Sequence, residues 1–210
     1  MTSVITGDII KSRAVKNQSI WLDELKYALK TLSLDASQYE IYRGDSFQLE
    51  YPQYPKSFEA AVYIKACIKT IKGLDVRLSI GIGNKTYSGN SVSESNGEAF
   101  QFSGETFETL KKEKQNLKIR TKSNQLNEEL NLYFKLALIA MDRWTVNSAE
   151  IVKLSLEHPN VIQSELAKLV NISQDAVSKR QKRAHLDEIL ELDALFRTKI
   201  SAFAKQTNAL

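Results

Sequence analysis

The feature that most constrains the fold is an unbroken alternation of side chains near the middle of the chain. Apolar residues occupy every second position at Leu74, Val76, Leu78, Ile80 and Ile82. Successive side chains of a β-strand point to opposite faces of a sheet, so this pattern predicts a strand with one face in a core. The chain therefore has to build a sheet around this strand.

Hydrophobic spacing elsewhere predicts the other elements. Strand signals lie at 3–6, 39–43, 46–51 and 117–122, and helical spacing lies at 18–32, 56–72, 97–110, 126–143 and 148–157, with a polar loop at 84–95. The first part then has the order β-α-β-β-α-β-α-β. This order predicts the split βαβ arrangement, an antiparallel sheet with helices on one face.

Composition predicts a globular protein with two domains. The chain has 210 residues, 42% of them hydrophobic, and its character changes to continuous helix near 121–125, so we predict domains at 1–123 and 124–210. The longest apolar run, 136–141, is far shorter than the roughly 20 residues of a membrane span, and the amino terminus lacks a signal-peptide pattern. The single cysteine, Cys67, cannot form an internal disulfide. These features predict a soluble, cytoplasmic protein without a membrane partner.

Residues 161–186 contain the signals for two short helices joined by a tight turn. The second helix begins at Gln174, where Ser173 can cap it. Ala167 is small enough for two helices to cross closely, and Ile172 supplies the apolar residue in the turn. This spacing is typical of a helix-turn-helix.

The second of these helices predicts a contact with double-stranded DNA. Hydrogen-bonding and cationic groups that suit base edges and phosphates are Gln174, Ser178, Lys179, Lys182 and Arg183. The net charge of the chain is only +4, so this basic density is local. The alternative interpretation is a solvated helix in a purely structural three-helix module.

The second helix is predicted to run on through an apolar seam at Ile189, Leu192, Leu195 and Phe196. The seam predicts either a homodimer contact or packing on the first domain, and the sequence leaves both open.

Two aspartates are expected to meet at one edge of the sheet. Asp8 follows the first strand, and Asp45 lies at the tip of the central hairpin. Those strands are neighbours in a β-α-β-β fold, so the two carboxylates and the Ile9 carbonyl can hold Mg²⁺. The alternative is an ordinary turn role, because aspartate beside glycine is common in hairpins.

A phosphate-binding segment is predicted directly after Asp8. Lys11, Ser12 and Arg13 lead toward a helix start, where cations, a hydroxyl and free backbone N–H groups can take phosphate oxygens. We include Gly44 of the hairpin in the same nucleotide site. In the polar loop, Lys85 and Glu94 are either further ligand contacts or parts of an exposed connector.

Four stretches together resemble the catalytic domain of class III nucleotide cyclases. They are VITGDIIKSR, YRGDSFQLE, VRLSIGIG and SNGEAFQFSGETFETL. The hairpin RGDSF also resembles the signature of GGDEF diguanylate cyclases. The resemblance implies the α+β class, with a ferredoxin-like (nucleotide-cyclase-like palm) antiparallel sheet domain, and it implies a nucleotide and Mg²⁺ at Asp8 and Asp45. The whole order, a palm followed by an all-α helix-turn-helix domain, resembles the SatD family of small bacterial proteins.

The sequence departs from the cyclase pattern at three positions. Ile41 stands where cyclases carry a purine-selecting lysine, and Gln101 and Glu105 stand where they carry an asparagine and an arginine that stabilise the transition state. An acid cannot replace that arginine, and losing one such donor costs about a hundredfold in rate. The resemblance therefore implies ligand binding without efficient cyclisation.

The sequence as a whole predicts a DNA-binding transcriptional regulator, acting as a homodimer, with a degenerate cyclase-like domain that binds a nucleotide and Mg²⁺. Two other functions stay open: an active nucleotidyl cyclase or phosphotransferase, and an interaction scaffold.

Overall fold

A computed structural model describes residues 1–208, which form an α+β structure. The strands are β1 (Thr2–Ile10), β2 (Tyr39–Tyr42), β3 (Ser46–Tyr51), β4 (Asp75–Gly83), β5 (Lys85–Tyr87), β6 (Asn96–Gly97) and β7 (Leu117–Arg120). The helices are α1 (Ser19–Leu32), α2 (Ser57–Lys69), α3 (Glu98–Glu113), α4 (Asn124–Met141), α5 (Val146–Glu157), α6 (Gln163–Leu169), α7 (Gln174–Ala184) and α8 (Leu186–Asn208). The last two residues of the predicted second domain lie outside the described part.

The main sheet has five strands in the order β2-β3-β1-β4-β7. β1 is antiparallel to both β3 and β4, whereas β7 is parallel to β4. The prediction of a purely antiparallel sheet is therefore wrong at the β7 edge. The reason is the connection: α3 carries the chain back along the sheet after β4, so the next strand runs in the same direction.

Helices cover both faces of this sheet, and the prediction of helices on one face only is wrong. One face carries the apolar side chains of β1, β3 and β4, which pack with α1 and α2 in the main core. The other face packs against α3, where the Ser103 hydroxyl donates to the Thr6 hydroxyl at 2.8 Å. Gly81 permits this approach: a Cβ at Gly81 would lie 3.0 Å from the Cα of Ser103, and closer still to the carbonyl oxygen of Ala99.

One apolar core runs through the sheet part and the helical part. Phe58 of α2 stacks on Phe134 of α4 with ring centroids 4.8 Å apart, and Phe196 of α8 lies 5.8 and 5.9 Å from them. All three rings are fully buried. The core therefore continues across the junction at residues 123 and 124, while the division of the chain into two domains there stays a prediction.

A buried ionic network ties the end of α4 to the sheet. The Lys65 side chain is 1% exposed, and its ammonium donates to carboxylates of Asp75 at 2.6 Å and Asp142 at 2.7 Å. Lys69 donates to the other Asp75 oxygen at 3.0 Å and to the Asp142 carbonyl at 2.9 Å. Since a buried charge is costly unless it is paired, this network fixes how the helical part sits on β4.

The only cysteine is expected to be inert in the folded protein. Cys67 on α2 is fully buried, and burial raises the pKa of its thiol well above the ordinary value. A thiolate is the reactive species, so a buried neutral thiol should not react. We expect no labelling by a thiol-specific chromogenic reagent in native buffer and one thiol per chain in denaturant. Fast labelling of the native protein would contradict the packing of α2 described above.

Candidate functional sites

β1 and β3 bring the two predicted aspartates to the same end of the sheet. Asp8 lies opposite Ser46, and the Ile9 amide donates to the Asp45 carbonyl at 3.0 Å. The turn before Asp45 contains Gly44 with φ of 90°, a conformation that favours glycine. Each aspartate nevertheless has a protein partner.

Asp8 is held by an arginine that the sequence interpretation did not include. Arg77 lies directly across from Asp8 on β4, and its guanidinium donates to both carboxylate oxygens, with Nε 2.8 Å from Oδ1. The two side chains are only 21% and 18% exposed. The hydrogen bond to Asp8, and the charges of Asp8 and Asp45, raise the pKa of Arg77. A permanent cation therefore pairs with Asp8, one of the two carboxylates predicted to bind the metal.

The arrangement does not fit Mg²⁺ bound by Asp8, the Ile9 carbonyl and Asp45. Both Asp8 oxygens accept from Arg77, and Asp45 accepts from the Ser12 hydroxyl at 2.5 Å. Mg²⁺ needs oxygen ligands that are free to enter an octahedral shell. Within residues 1–208, no group of three or more His, Cys, Asp or Glu side chains is placed to hold a metal ion.

Magnesium chloride is therefore expected to leave the melting temperature of this protein unchanged. A ligand that binds only the folded state stabilises it, by about 2.7 kcal/mol at a hundred times its dissociation constant. Thermal denaturation with magnesium and with sodium chloride of equal ionic strength measures the difference. A rise specific to magnesium, absent in Asp45→Asn, would show that Arg77 gives way to the ion.

The residues predicted to bind phosphate differ in their exposure to solvent. Ser12 is 6% exposed and engaged with Asp45, whereas Lys11, Arg13 and Gly44 are exposed. α1 begins at residue 19, close to the predicted start at 18, and a single 3-10 turn at residues 12–14 separates the predicted phosphate residues from it. The cations thus lack the helix N-terminus that would add free N–H groups. Lys11 instead lines a cavity of about 620 Å³ beside Lys69 and Lys72.

The other candidate residues around the sheet have partners within the protein. Lys85 donates to Glu50 at 2.6 Å, and Glu94 accepts from the Asn90 amide at 3.0 Å. Glu105 pairs with Arg120 of β7. Lys85 and Glu94 of the loop are therefore engaged within the protein, and the pair of Glu105 with Arg120 links α3 to the edge strand β7.

The second candidate surface is built by α6 and α7. The Ser173 hydroxyl caps α7 by accepting from the Ala176 amide at 3.2 Å, as its position predicted. Asn171 has φ of 51° in the turn, and the Ile172 amide donates back to the Ala167 carbonyl at 3.0 Å. Buried residues from α5, α6 and α7 then form a small core: Ile151, Leu166, Ala167 and Val177.

Hydrogen bonds from α7 to α5 fix the orientation of α7 about its own axis. Arg180 donates to Glu150 at 2.8 Å, and Gln181 donates to Ser155 at 3.0 Å. Five residues predicted to contact DNA are exposed on its outer side: Gln174, Ser178, Lys179, Lys182 and Arg183. His185, with φ of 54°, ends α7, so the prediction that this helix runs on through Ile189 to Phe196 is wrong, and those residues lie on α8.

These features define an α+β protein in which a mixed five-stranded sheet and a helical part share one core. The chain belongs to the SatD family, whose family model matches residues 3–202, which confirms the family resemblance. No curated protein and no solved structure matches it. The resemblances to nucleotide cyclases and to helix-turn-helix domains stay predictions. Among the described helices, none is long and apolar enough to cross a membrane.

Proposed function

We propose that this protein is a DNA-binding regulator in which α6 and α7 act as a helix-turn-helix and α7 enters the major groove. The observation that carries the proposal is the exposed row Gln174, Ser178 and Lys182, whose members are one helical turn apart on a helix fixed from behind by α5 and α6. Glutamine and serine suit base edges, whereas lysine suits phosphates.

Lys179 and Arg183 form a second row beside the first. Lys179 pairs with Asp175 at 2.8 Å, but both side chains are more than 60% exposed, so this pair is weak and free to exchange for a phosphate. Arg183 is also exposed and adds a second phosphate contact. The two rows would give α7 one side for bases and one for the backbone.

The sheet part supports a second proposal, that it is a ferredoxin-like palm domain that has lost metal chemistry. Its strands β2-β3-β1-β4 have the order and alternating directions of that fold. A nucleotide there would be bound without Mg²⁺, through the exposed Lys11 and Arg13. The pairing of Asp8 with Arg77 argues against an active cyclase or phosphotransferase. Incubation with nucleoside triphosphates and product analysis tests that alternative.

The charge reversal Lys182→Glu with Arg183→Glu should weaken DNA binding by on the order of a hundredfold at low salt, because each change replaces a phosphate attraction with a repulsion. Fluorescence anisotropy with mixed genomic fragments over a salt series measures both the affinity and its salt slope. The slope should fall by about two, one for each lost phosphate contact.

Lys111→Glu with Lys112→Glu is the matched control. These residues are exposed at the end of α3, away from α7, and the double change alters net charge by the same amount. Equal weakening by both variants would mean that overall charge alone attracts DNA, and no binding by the wild-type protein would overturn the proposal.

A further inference from the structure

α4 and α8 lie side by side and leave an apolar groove between them. They run antiparallel, since Lys199 pairs with Glu129 at one end and the Trp144 indole donates to the Ala184 carbonyl at the other, each at 2.8 Å. The groove has a volume of about 780 Å³. Its apolar lining includes Leu136, Ala137, Ile139, Ala140, Leu192 and Leu195.

The groove belongs to a longer apolar stripe. Leu136 is 56% exposed, Ile139 is 60% exposed and Leu195 is 40% exposed. Leu132, also 56% exposed, lies one helical turn before Leu136 and beyond the groove. A small molecule in the groove would leave Leu132 in water, whereas another helix along α4 covers the whole stripe.

The charges that line the groove balance, with two arginines and two glutamates. Arg143 lies just after the end of α4, and α8 contributes Glu188 and Glu191. Arg183, from the end of α7, is the second arginine of the lining. Two arginines and two glutamates around an apolar centre make a patch that complements itself, which is what a twofold contact between identical surfaces requires.

We propose that a second copy of this chain covers this surface, with α4 of each copy packed against α8 of the other. The twofold axis runs along the groove. Arg143 of one copy then lies opposite Glu188 of the partner subunit, and this ion pair occurs twice. Leu136, Ile139 and Leu195 are buried at the centre of the resulting four-helix contact.

This arrangement extends the proposed function without depending on it. Because Arg183 borders the groove, both copies of α7 lie at the same end of the dimer, as the reading of two half-sites requires. Self-association is measured without DNA, so the dimer and the DNA binding can fail separately. Because Arg183 lines the groove, the Lys182→Glu, Arg183→Glu variant is first shown to dimerise like the wild type.

Sedimentation equilibrium of the full chain tests the interface. We expect the wild-type protein to be dimeric at micromolar concentration and Leu136→Glu to weaken dimerisation at least a hundredfold. Leu34→Glu is the matched control, because Leu34 is 81% exposed on another surface. Both variants should keep the circular dichroism spectrum of the wild type, since neither side chain is buried.

A charge exchange tests the pairing itself. Arg143→Glu and Glu188→Arg should each weaken self-association, because each variant faces like charges across the axis. Mixed together, the two variants should associate at wild-type strength, since every pair in the heterodimer is then attractive. A monomeric wild-type protein, a dimeric Leu136→Glu variant or failure of the mixture to associate would each overturn the proposal. Binding of an amphipathic small molecule to a wild-type monomer would also overturn it.

Discussion

Phe134→Ala is expected to lower the free energy of unfolding by about 3–5 kcal/mol, the range for removing a buried aromatic ring from a core. Phe134 is fully buried between Phe58 and Phe196, which come from α2 and α8. The cavity would open where the helical part meets the sheet part. Urea denaturation followed by circular dichroism measures the loss.

Two tryptophans allow the same experiment to test whether both parts unfold together. Trp21 lies on α1 and Trp144 follows α4, and both are buried. In variants that keep only one of them, the fluorescence transitions should coincide, and Phe134→Ala should shift both to the same lower midpoint. Separate midpoints would mean that the predicted domains at 1–123 and 124–210 are independent folding units.

Lys135→Ala is the control on the same helix. Lys135 is exposed next to Phe134 and does not line the groove between α4 and α8, so its truncation should change stability by no more than about 0.5 kcal/mol. A loss comparable to that of Phe134→Ala would contradict the orientation of α4 on which the shared core depends.

Local spacing in the sequence was enough to predict α7 and its surface. The packing residues Ala167, Ile172 and Val177 and the cap Ser173 all lie within about a dozen positions of one another, so the pattern fixes which side of α7 faces inward. The exposure of Lys182 follows from that rotation.

The aspartate site could be predicted only in part, because it depends on pairing between distant strands. The hairpin position of Asp45 and the strand position of Asp8 were sufficient to predict that they lie at one end of the sheet. The partner of Asp8 depends on the register of β1 against β4, which places Arg77 directly opposite. A one-residue shift in that register would move Arg77 to the other face of the sheet.

The packing of α3 on the second face of the sheet also had a signal in the sequence. That signal lies between the alternating apolar residues of β4. On the opposite face of that strand, Ser79, Gly81 and Gly83 are all small. Small residues on a sheet face permit a helix to approach closely, and α3 does so. Polar residues alone would have suggested a face open to water, whereas the two glycines indicate close contact with another backbone.

Gly81→Ala is expected to cost more than about 4 kcal/mol, a large share of the 5–15 kcal/mol that stabilises an ordinary domain. The added methyl group would overlap the backbone of α3 at Ala99 and Ser103, and backbone atoms inside a helix cannot move aside singly. α3 would have to withdraw from β4 along its length. We expect a much lower melting temperature or failure to fold, measured by circular dichroism on the purified variant.

Gly104→Ala makes the same chemical change on the other partner of this contact and should have the opposite sign. Gly104 lies inside α3 with no atom within 4 Å of an added Cβ, so alanine meets no neighbour and gains about 0.5–1 kcal/mol from helix propensity. Comparing the two variants distinguishes steric overlap between a methyl group added at Gly81 and α3 from a general effect of an added methyl group on stability. Equal melting temperatures for both would mean that α3 does not rest on Gly81, and the assignment of α3 to the polar face of the sheet would then be wrong.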